Sequence, residues 1–401
     1  MKAGPWVTLG ITLAVQAMVS MALLTLPVMA PVAAPALGVS ATLVGVYVAL
    51  VYAGAMVASL AAGNAIARYG AIRVSQWGLG LCAAGLVLCA VPHALATVVG
   101  ACLIGLGYGP ITPASSHLLS VSTPAHRMSL VFSVKQTGVP LGGMLAGAVV
   151  PGLMLWLGWQ GALVCCAAAN LVCAALAQLL RNELDADRNP ALPVAFGNLM
   201  QPLRMVLSHP ALRMLAGCSF VFSIAQLSLT TYLVTFLTEQ LAFGLVAAGL
   251  ALSLAQLGGV VGRILWGWVA DQWLGARRML LILAAVMGCG GLLTAVLTTA
   301  VPMILVLAVL LIFGASAIGW NGVYLAEVAR QAPKGMASIA TGGTLAFTFF
   351  GVVLGPPVFG AISAGFQSYR AGYLALAVPV FLCWVALLRG GSLSAASAGR
   401  G

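Results

Sequence analysis

Acidic side chains are nearly missing from this 401-residue chain, which holds six Asp and Glu against seventeen Lys and Arg. Charge of either sign is scarce: 6% of residues, where a soluble globular protein carries roughly a quarter. With 62% hydrophobic residues, such a chain cannot cover its own surface in water, and the soluble classes are excluded. The nine cysteines form no CxxC pair and no Cys/His metal-ligand spacing. They read as small apolar packing residues, so neither a metal nor a cofactor is expected. Nucleophile–base pairs, nucleotide-binding loops and a soluble domain of useful size are also missing. An enzyme and a nucleotide-driven pump are therefore not expected.

Long apolar runs are what the chain has in abundance. A membrane-spanning helix needs ~20 mostly apolar residues. Twelve segments qualify, at 6–29, 41–66, 74–91, 94–119, 128–150, 160–180, 211–237, 244–269, 279–299, 302–327, 337–360 and 370–389. The runs are continuous, whereas a β-barrel needs alternating strands of ~10 residues. The expected fold class is an all-α membrane protein with twelve transmembrane helices. Basic residues fall unevenly between the spans. Lys135 and Arg263 lie inside them; Lys2, Arg68, Arg73, Arg127, Arg181, Arg188, Arg204, Arg213, Arg277, Arg278, Arg330, Lys334, Arg389 and Arg400 lie on one side, and Arg370 lies on the other. The positive-inside rule then predicts a multi-pass protein of a plasma (inner) membrane, with both termini cytoplasmic. The net charge of +11 is thus a topology signal, and no nucleic-acid partner is expected.

The longest internal polar stretch is 181–210, RNELDADRNPALPVAFGNLMQPLRMVLSHP, with Glu183, Asp185, Asp187 and four prolines. It divides the chain into an N-terminal six-helix bundle (1–180), a cytoplasmic linker (181–210) and a C-terminal six-helix bundle with a short cytoplasmic tail (211–401). The halves repeat one loop: GNAIARYGAIR at 63–73 and GWVADQWLGARR at 267–278, an offset of 204 residues. A parallel repeat of this kind places a solute site between two bundles at mid-depth.

GWVADQWLGARR resembles the G-x-x-x-D-(R)-x-G-x-(R/K)-(R/K) signature of the major facilitator superfamily. Gly267, Asp271, Arg277 and Arg278 match; Gln272 replaces an Arg, and one residue is inserted before Gly275. The first loop keeps Gly63, Arg68, Gly70 and Arg73 but has Ala67 in place of Asp. The resemblance covers the whole chain. It implies two pseudo-symmetric six-helix bundles, a monomer, and transport by alternating access. It also implies that Asp271 latches the cytoplasmic side at a helix N-terminus. With Ala67, the first-half loop lacks that carboxylate. Arg263 and Glu327 lie near the second loop and extend its gating group.

Glycines four apart occur at 105/109, 138/142, 143/147, 258/262 and 351/355. They permit close helix approach, either as static packing or as sliding contacts. Proline and glycine predict kinks at Gly138, Pro140 and Gly142 in span five and at Gly355 and Pro356 in span eleven. GVPLGG at 138–143 also resembles the antiporter motif G-P-x-x-G-G with its proline displaced by one.

A charge at the bilayer centre costs at least ~2.5–3.5 kcal/mol, so each one calls for a cavity or a partner. Lys135 lies two turns into span five, beside Ser133, Gln136 and Thr137, and residues 1–182 contain no acid. It either snorkels to the headgroups or binds an anion. His117 in span four is either a packing residue or a proton-coupling group. Glu327 is either a salt-bridge partner or a proton carrier. The family resemblance implies a cavity lined by spans one, four, seven and ten. Its mid-depth candidates are Gln16, Tyr108, Gln226, Trp320 and Asn321, which join Lys135 and Gln136 as substrate-binding residues.

The expected function is secondary active transport of a small organic solute, an anion held by Lys135. KQTGVPLGG and GWNGVYLAE resemble bacterial permeases grouped with cyanate and organic-anion carriers. Two alternatives stay open: a proton-coupled drug or metabolite efflux antiporter, and a non-transporting membrane sensor or scaffold. The first requires an acid facing the cavity. The second requires a soluble domain or a partner-binding tail, and GGSLSAASAGRG at 390–401 suggests neither. The expected partners are a small-molecule substrate and membrane lipids, with protons an open question.

Overall fold

The computed structural model describes residues 4–122, 131, 134–191, 200–333 and 337–398. Lys2, Arg127, Ser133, Lys334 and Arg400, counted above, lie outside the described residues. Every regular element among those described is helical. The first part of the chain forms α1 (Pro5–Ala36), α2 (Val44–Tyr69), α3 (Ala71–Cys89), α4 (Ala94–Tyr108), α5 (Ile111–Ser122) and α6 (Gly138–Leu184). The rest forms α7 (Met200–Ser208), α8 (Pro210–Gln240), α9 (Leu245–Val269), α10 (Ala276–Val296), α11 (Met303–Ala317), α12 (Asn321–Gln331), α13 (Ala337–Gly365) and α14 (Tyr369–Ala398). A π-turn, Ala270–Leu274, joins α9 to α10.

Eleven helical stretches among the described residues are long and apolar enough to cross a bilayer. One of them, Val134–Leu184, has 51 residues. At 1.5 Å per residue it would run about 75 Å, more than twice a hydrocarbon core of ~30 Å. It does not run straight. Gly158 has φ 72° and ψ 172°, a conformation in which a Cβ would clash, and it splits the stretch into two spans. The described residues therefore hold twelve spans. The matching turn between the last two spans also uses a positive φ, 50° at Gln367. Both turns carry an exposed aromatic ring: Trp156 at 89% and Phe366 at 75% exposure. Such rings sit well at a membrane–water interface.

Spans four and ten differ from the continuous helices expected at 94–119 and 302–327. Each is broken: α4 from α5 at Gly109–Pro110, and α11 from α12 at Ile318–Trp320. Pro110 cannot donate an i→i−4 bond, and the helix resumes behind it with the Ala114 amide on the Pro110 carbonyl at 3.0 Å. The second break has no proline, and α9 braces it. Trp266 Nε1 donates to the Ala315 carbonyl at 2.7 Å, and Arg263 Nε to the Ile318 carbonyl at 3.1 Å. Carbonyls released at a helix end inside a membrane require such donors. In span five, Pro140 falls in the first turn of α6, where a missing N–H removes no intrahelical bond. Pro356 and Pro357 lie inside α13.

The chain forms two compact units, residues 1–197 with 230–253, and residues 198–229 with 254–401. Segment 230–253 joins the first unit through specific contacts. Gly147 and Gly249 face each other so closely that a Cβ on either would strike the other's carbonyl oxygen. Ser253 Oγ donates to the Met144 carbonyl at 2.8 Å, and Tyr232 OH to the Thr42 carbonyl at 2.7 Å. Within that unit, Gly105 and Gly109 lie against the carbonyls of Val51 and Ala55. Gly258 and Gly262 lie in the same way against Leu311 and Ala315 in the second unit. Gly105→Val should force α2 and α4 apart and cost about 1–3 kcal/mol. A thermal-unfolding scan in detergent should show the drop, with Gly10→Val, at a site open within 4 Å, as the unchanged control.

Candidate functional site

In the first unit, Gln16 of α1 is buried at 1% exposure, and its amide oxygen accepts a bond from Thr112 Oγ1 at 3.1 Å. Its nitrogen points along α1 to Ser20 Oγ, 3.5 Å away. Thr112 occupies the first turn of α5, immediately behind the break in span four. Gly138, at the start of α6, makes room for Gln16: a Cβ there would lie 2.9 Å from Gln16 Cβ. Just ahead of it, the chain turns at Thr137, and Lys135 and Gln136 precede that turn. Lys135 is buried at 1% exposure and Gln136 is half-buried. Gln16 thus touches both the opening turn of α5, through Thr112, and the start of α6, through Gly138. Gly142, one turn further, lies against the Ala17 carbonyl. Tyr108, the last residue of α4, meets Tyr52 edge-on with ring centres 5.7 Å apart.

The second unit repeats this pattern with different side chains. Gln226 of α8, 210 residues after Gln16, offers its amide oxygen to Trp320 Nε1 at 3.1 Å and Asn321 Nδ2 at 3.3 Å. Asn321 opens α12, as Thr112 lies in the opening turn of α5. Trp320 is buried and packs edge-on with Phe222 and Tyr324 at 5.5 and 5.2 Å. In each unit, therefore, a glutamine on the first long helix ties down the far side of a broken span. A Cβ on Gly355 of α13 would lie 2.9 Å from Ile224 Cα.

At the Arg-rich end, the loop residues have separate environments. Gly63 and Gly267 adjoin open space. The Arg68 guanidinium sits 5.3 Å from the centre of the Tyr69 ring. Asp271 is exposed on the π-turn, and Arg278 is exposed at the start of α10. Arg277 Nη2 donates to the Leu387 carbonyl of α14 at 3.0 Å. Glu327 is buried. Its Oε1 accepts from Gln331 Nε2 at 2.9 Å, and its Oε2 lies 3.7 Å from Arg330 Nε.

The sequence reading missed three participants. Thr112 carried no signal beyond its position after Gly109–Pro110. Asp185 is the second. The first-half loop has Ala67, yet a carboxylate does reach a helix N-terminus there. Asp185, directly after α6, accepts the Ile72 amide at 2.7 Å and the Arg73 amide at 3.0 Å. Gly70 sits between them at φ 95°, and a Cβ on it would overlap the Asp185 carboxyl. Burial raises the Asp185 pKa above its ordinary 3.8, against the opposing pull of the two amides, Arg181 and Arg188. Asp187 is the third: its Oδ2 lies 2.7 Å from His117 Nε2. His117 is 37% exposed, so it stands at the Arg-rich end of α5.

An apolar cavity of about 160 Å³ lies at the opposite end of the first unit, among Leu26, Leu37, Val44, Tyr47, Ala94 and Val98. None of the candidate binding residues lines it.

Comparison with known proteins agrees with this architecture. The family model "Major Facilitator Superfamily" matches residues 9–344. A gentisate transporter of Corynebacterium glutamicum is 26% identical over 298 residues, 71% of this chain and 64% of that protein. The chloroplastic sodium-dependent phosphate transport protein 1 of Arabidopsis thaliana is 24% identical over 180 residues, 42% of this chain and 35% of its own length. The chain thus spans less than two thirds of either relative. In fold it is similar to a crystal structure of a bacterial homologue of the human lysosomal transporter Spinster, inward-facing and occupied: TM-score 0.77, 13% identity, 98% of each chain. A POT family transporter in complex with 5-aminolevulinic acid is similar at TM-score 0.75 and 13% identity, over 95% of each chain. A family match over most of the chain, together with the apolar spans among the described residues, leads to one conclusion: the chain belongs to the major facilitator superfamily and is a multi-pass membrane protein.

Proposed function

We propose that the protein is a secondary active transporter of a small organic anion, working by alternating access, with Lys135 as the group that binds the anion's charge. The observation that carries this reading is the 1% exposure of Lys135 on an apolar span, beside the turn at Thr137 and the Gln16–Gly138 contact. A snorkelling lysine keeps its ammonium at the headgroups. This one is buried within the protein. An ammonium there gives a carboxylate a charge-assisted hydrogen bond in a low-dielectric setting. Gln136 and Tyr108 supply polar and aromatic contacts, while Gln16, Gln226, Trp320 and Asn321 hold the broken spans in position. Both related transporters are named for anions, gentisate and phosphate. The uneven spread of basic residues supports an inner-membrane protein with both termini in the cytoplasm. The loops at 63–73 and 267–278 then face the cytoplasm as gating segments.

The test is a ligand panel on the purified, full-length protein. Small aliphatic and aromatic carboxylates at millimolar concentration should raise its unfolding temperature in detergent. The corresponding primary amines and lipophilic cations should not. Stabilisation by the cations alone would overturn the anion assignment.

A further inference from the structure

Within five residues, the start of the linker bonds to three separate elements of the first unit. Asp185 takes the Ile72 and Arg73 amides at the start of α3. Asp187 takes His117 of α5 at 2.7 Å. The Asn189 amide donates to the Ala67 carbonyl near the end of α2 at 2.7 Å. Alternate residues 185, 187 and 189 thus form a strap across the Arg-rich ends of α2, α3 and α5.

The strap's anchorage is uneven. Asp185 is buried at 2% exposure, and the cleft it fills exists because residue 70 is glycine. The Asp187–His117 contact is open to solvent, at 44% and 37% exposure. Asp185 and Asn189 hold the strap at its two ends, and the exposed bond between them, at Asp187, is the one that can be released. What that bond holds is α5, the half-helix cut from α4 at Gly109–Pro110. With no continuous helix to aim it, α5 takes its position from side-chain packing, which includes Leu119 against Leu9 and Val131, and from bonds on two sides. Ala114 and Leu118 pack with Ile72 and Ala177 in one apolar cluster. Thr112 bonds to Gln16 on the inner side. His117 bonds to the strap on the outer side.

We propose that residues 185–189 are a clasp that sets whether α5 is docked, and that releasing Asp187 from His117 exposes the inner face of α5 from the Arg-rich end. The inference rests on transport by alternating access but not on the charge of the solute.

Ser115, at 2% exposure on α5, reports the docked state. In Ser115→Cys protein, maleimide labelling above the background of the nine native cysteines measures undocking. Asp187→Ala should raise the labelling rate about two- to fivefold, the range that loss of an exposed ion pair can produce. Glu183→Ala, which removes an exposed acid two residues before the anchor, should leave it unchanged. The exchanged pair, His117→Asp with Asp187→His, should return it to the parent rate. If Asp187→Ala folds poorly, amide hydrogen exchange over 111–122 in Asp187→Asn gives the same reading and should quicken. An unaltered rate in the Asp187 variants, or an exchanged pair that stays fast, would sink the clasp. No solute is needed, so a wrong anion assignment would leave the labelling result intact.

Discussion

Asp185→Ala should lower the stability of the folded protein by about 3 kcal/mol, the largest loss expected from any single linker residue. Two amide hydrogens, a buried one on Ile72 and a half-buried one on Arg73, lose their acceptor at once. They belong to the first turn of α3, where no carbonyl of the same helix can replace it. The cap also lies beside the cluster formed by Ile66, Ile72, Leu118 and Ala177, so a frayed α3 opens that core. Equilibrium unfolding in mixed micelles measures the change. A difference below about 1 kcal/mol would mean the carboxylate contributes no more than an exposed cap.

The pH dependence of the same site has a definite sign. Burial, the largest influence, raises the folded-state pKa of Asp185 above the unfolded value of 3.8. The native protein therefore holds this proton more tightly than the unfolded chain. Its contribution to stability is greatest below 3.8 and declines as pH rises through the folded-state value. Asp185→Asn keeps one acceptor oxygen and cannot titrate. The stability advantage of the parent over this variant should shrink from acid towards neutral pH. An advantage that grows with pH would mean that the two amides and the arginines outweigh burial.

Much of the fold could be read from local composition, because a bilayer imposes a length and a polarity on every span. The twelve apolar runs and the polar stretch after Gln178–Leu180 needed no long-range information. The spans that break did. Gly109–Pro110 is a visible signal in span four, but in span ten the break at 318–320 has no proline. It depends on Trp266 and Arg263 reaching carbonyls some fifty residues away. Arg263 reads in sequence as part of a charge cluster, and its Nε donates to the Ile318 carbonyl, a bond that no local pattern signals.

The candidate site divides in the same way. Gln16, Gln226, Trp320 and Asn321 stand out because amides and indoles are rare in such apolar helices, and the fold brings the last three together around one amide oxygen. Their partners were harder to foresee. Thr112 is one of many hydroxyls on these spans. Asp185 reaches α3 across more than a hundred residues of sequence. Ala67 pointed to an absent carboxylate, and the carboxylate that caps a helix there belongs to another segment. A motif fixes which residue types a loop contains; it says nothing of a group delivered from a different chain segment to the same helix end.

Lys135→Met should reduce uptake into proteoliposomes about a hundredfold while leaving folded, membrane-inserted protein in normal amount. A charge-assisted hydrogen bond to a buried ligand is worth about 2–3 kcal/mol, which corresponds to that factor. Methionine keeps the length and the apolar stem and removes only the charged head. It fits a site at 1% exposure without opening a cavity. Lys135→Arg should fall between the two, since its charge is kept but a planar fork replaces a compact ammonium. The loss should fall on binding, so carboxylates should no longer raise the unfolding temperature of the Met variant. If Lys135 served instead to anchor the span at the headgroups, removing its charge would shift insertion and leave uptake per folded molecule unchanged. A fully active, well-inserted Lys135→Met protein would therefore move the anion to a different residue and leave the ammonium a structural part.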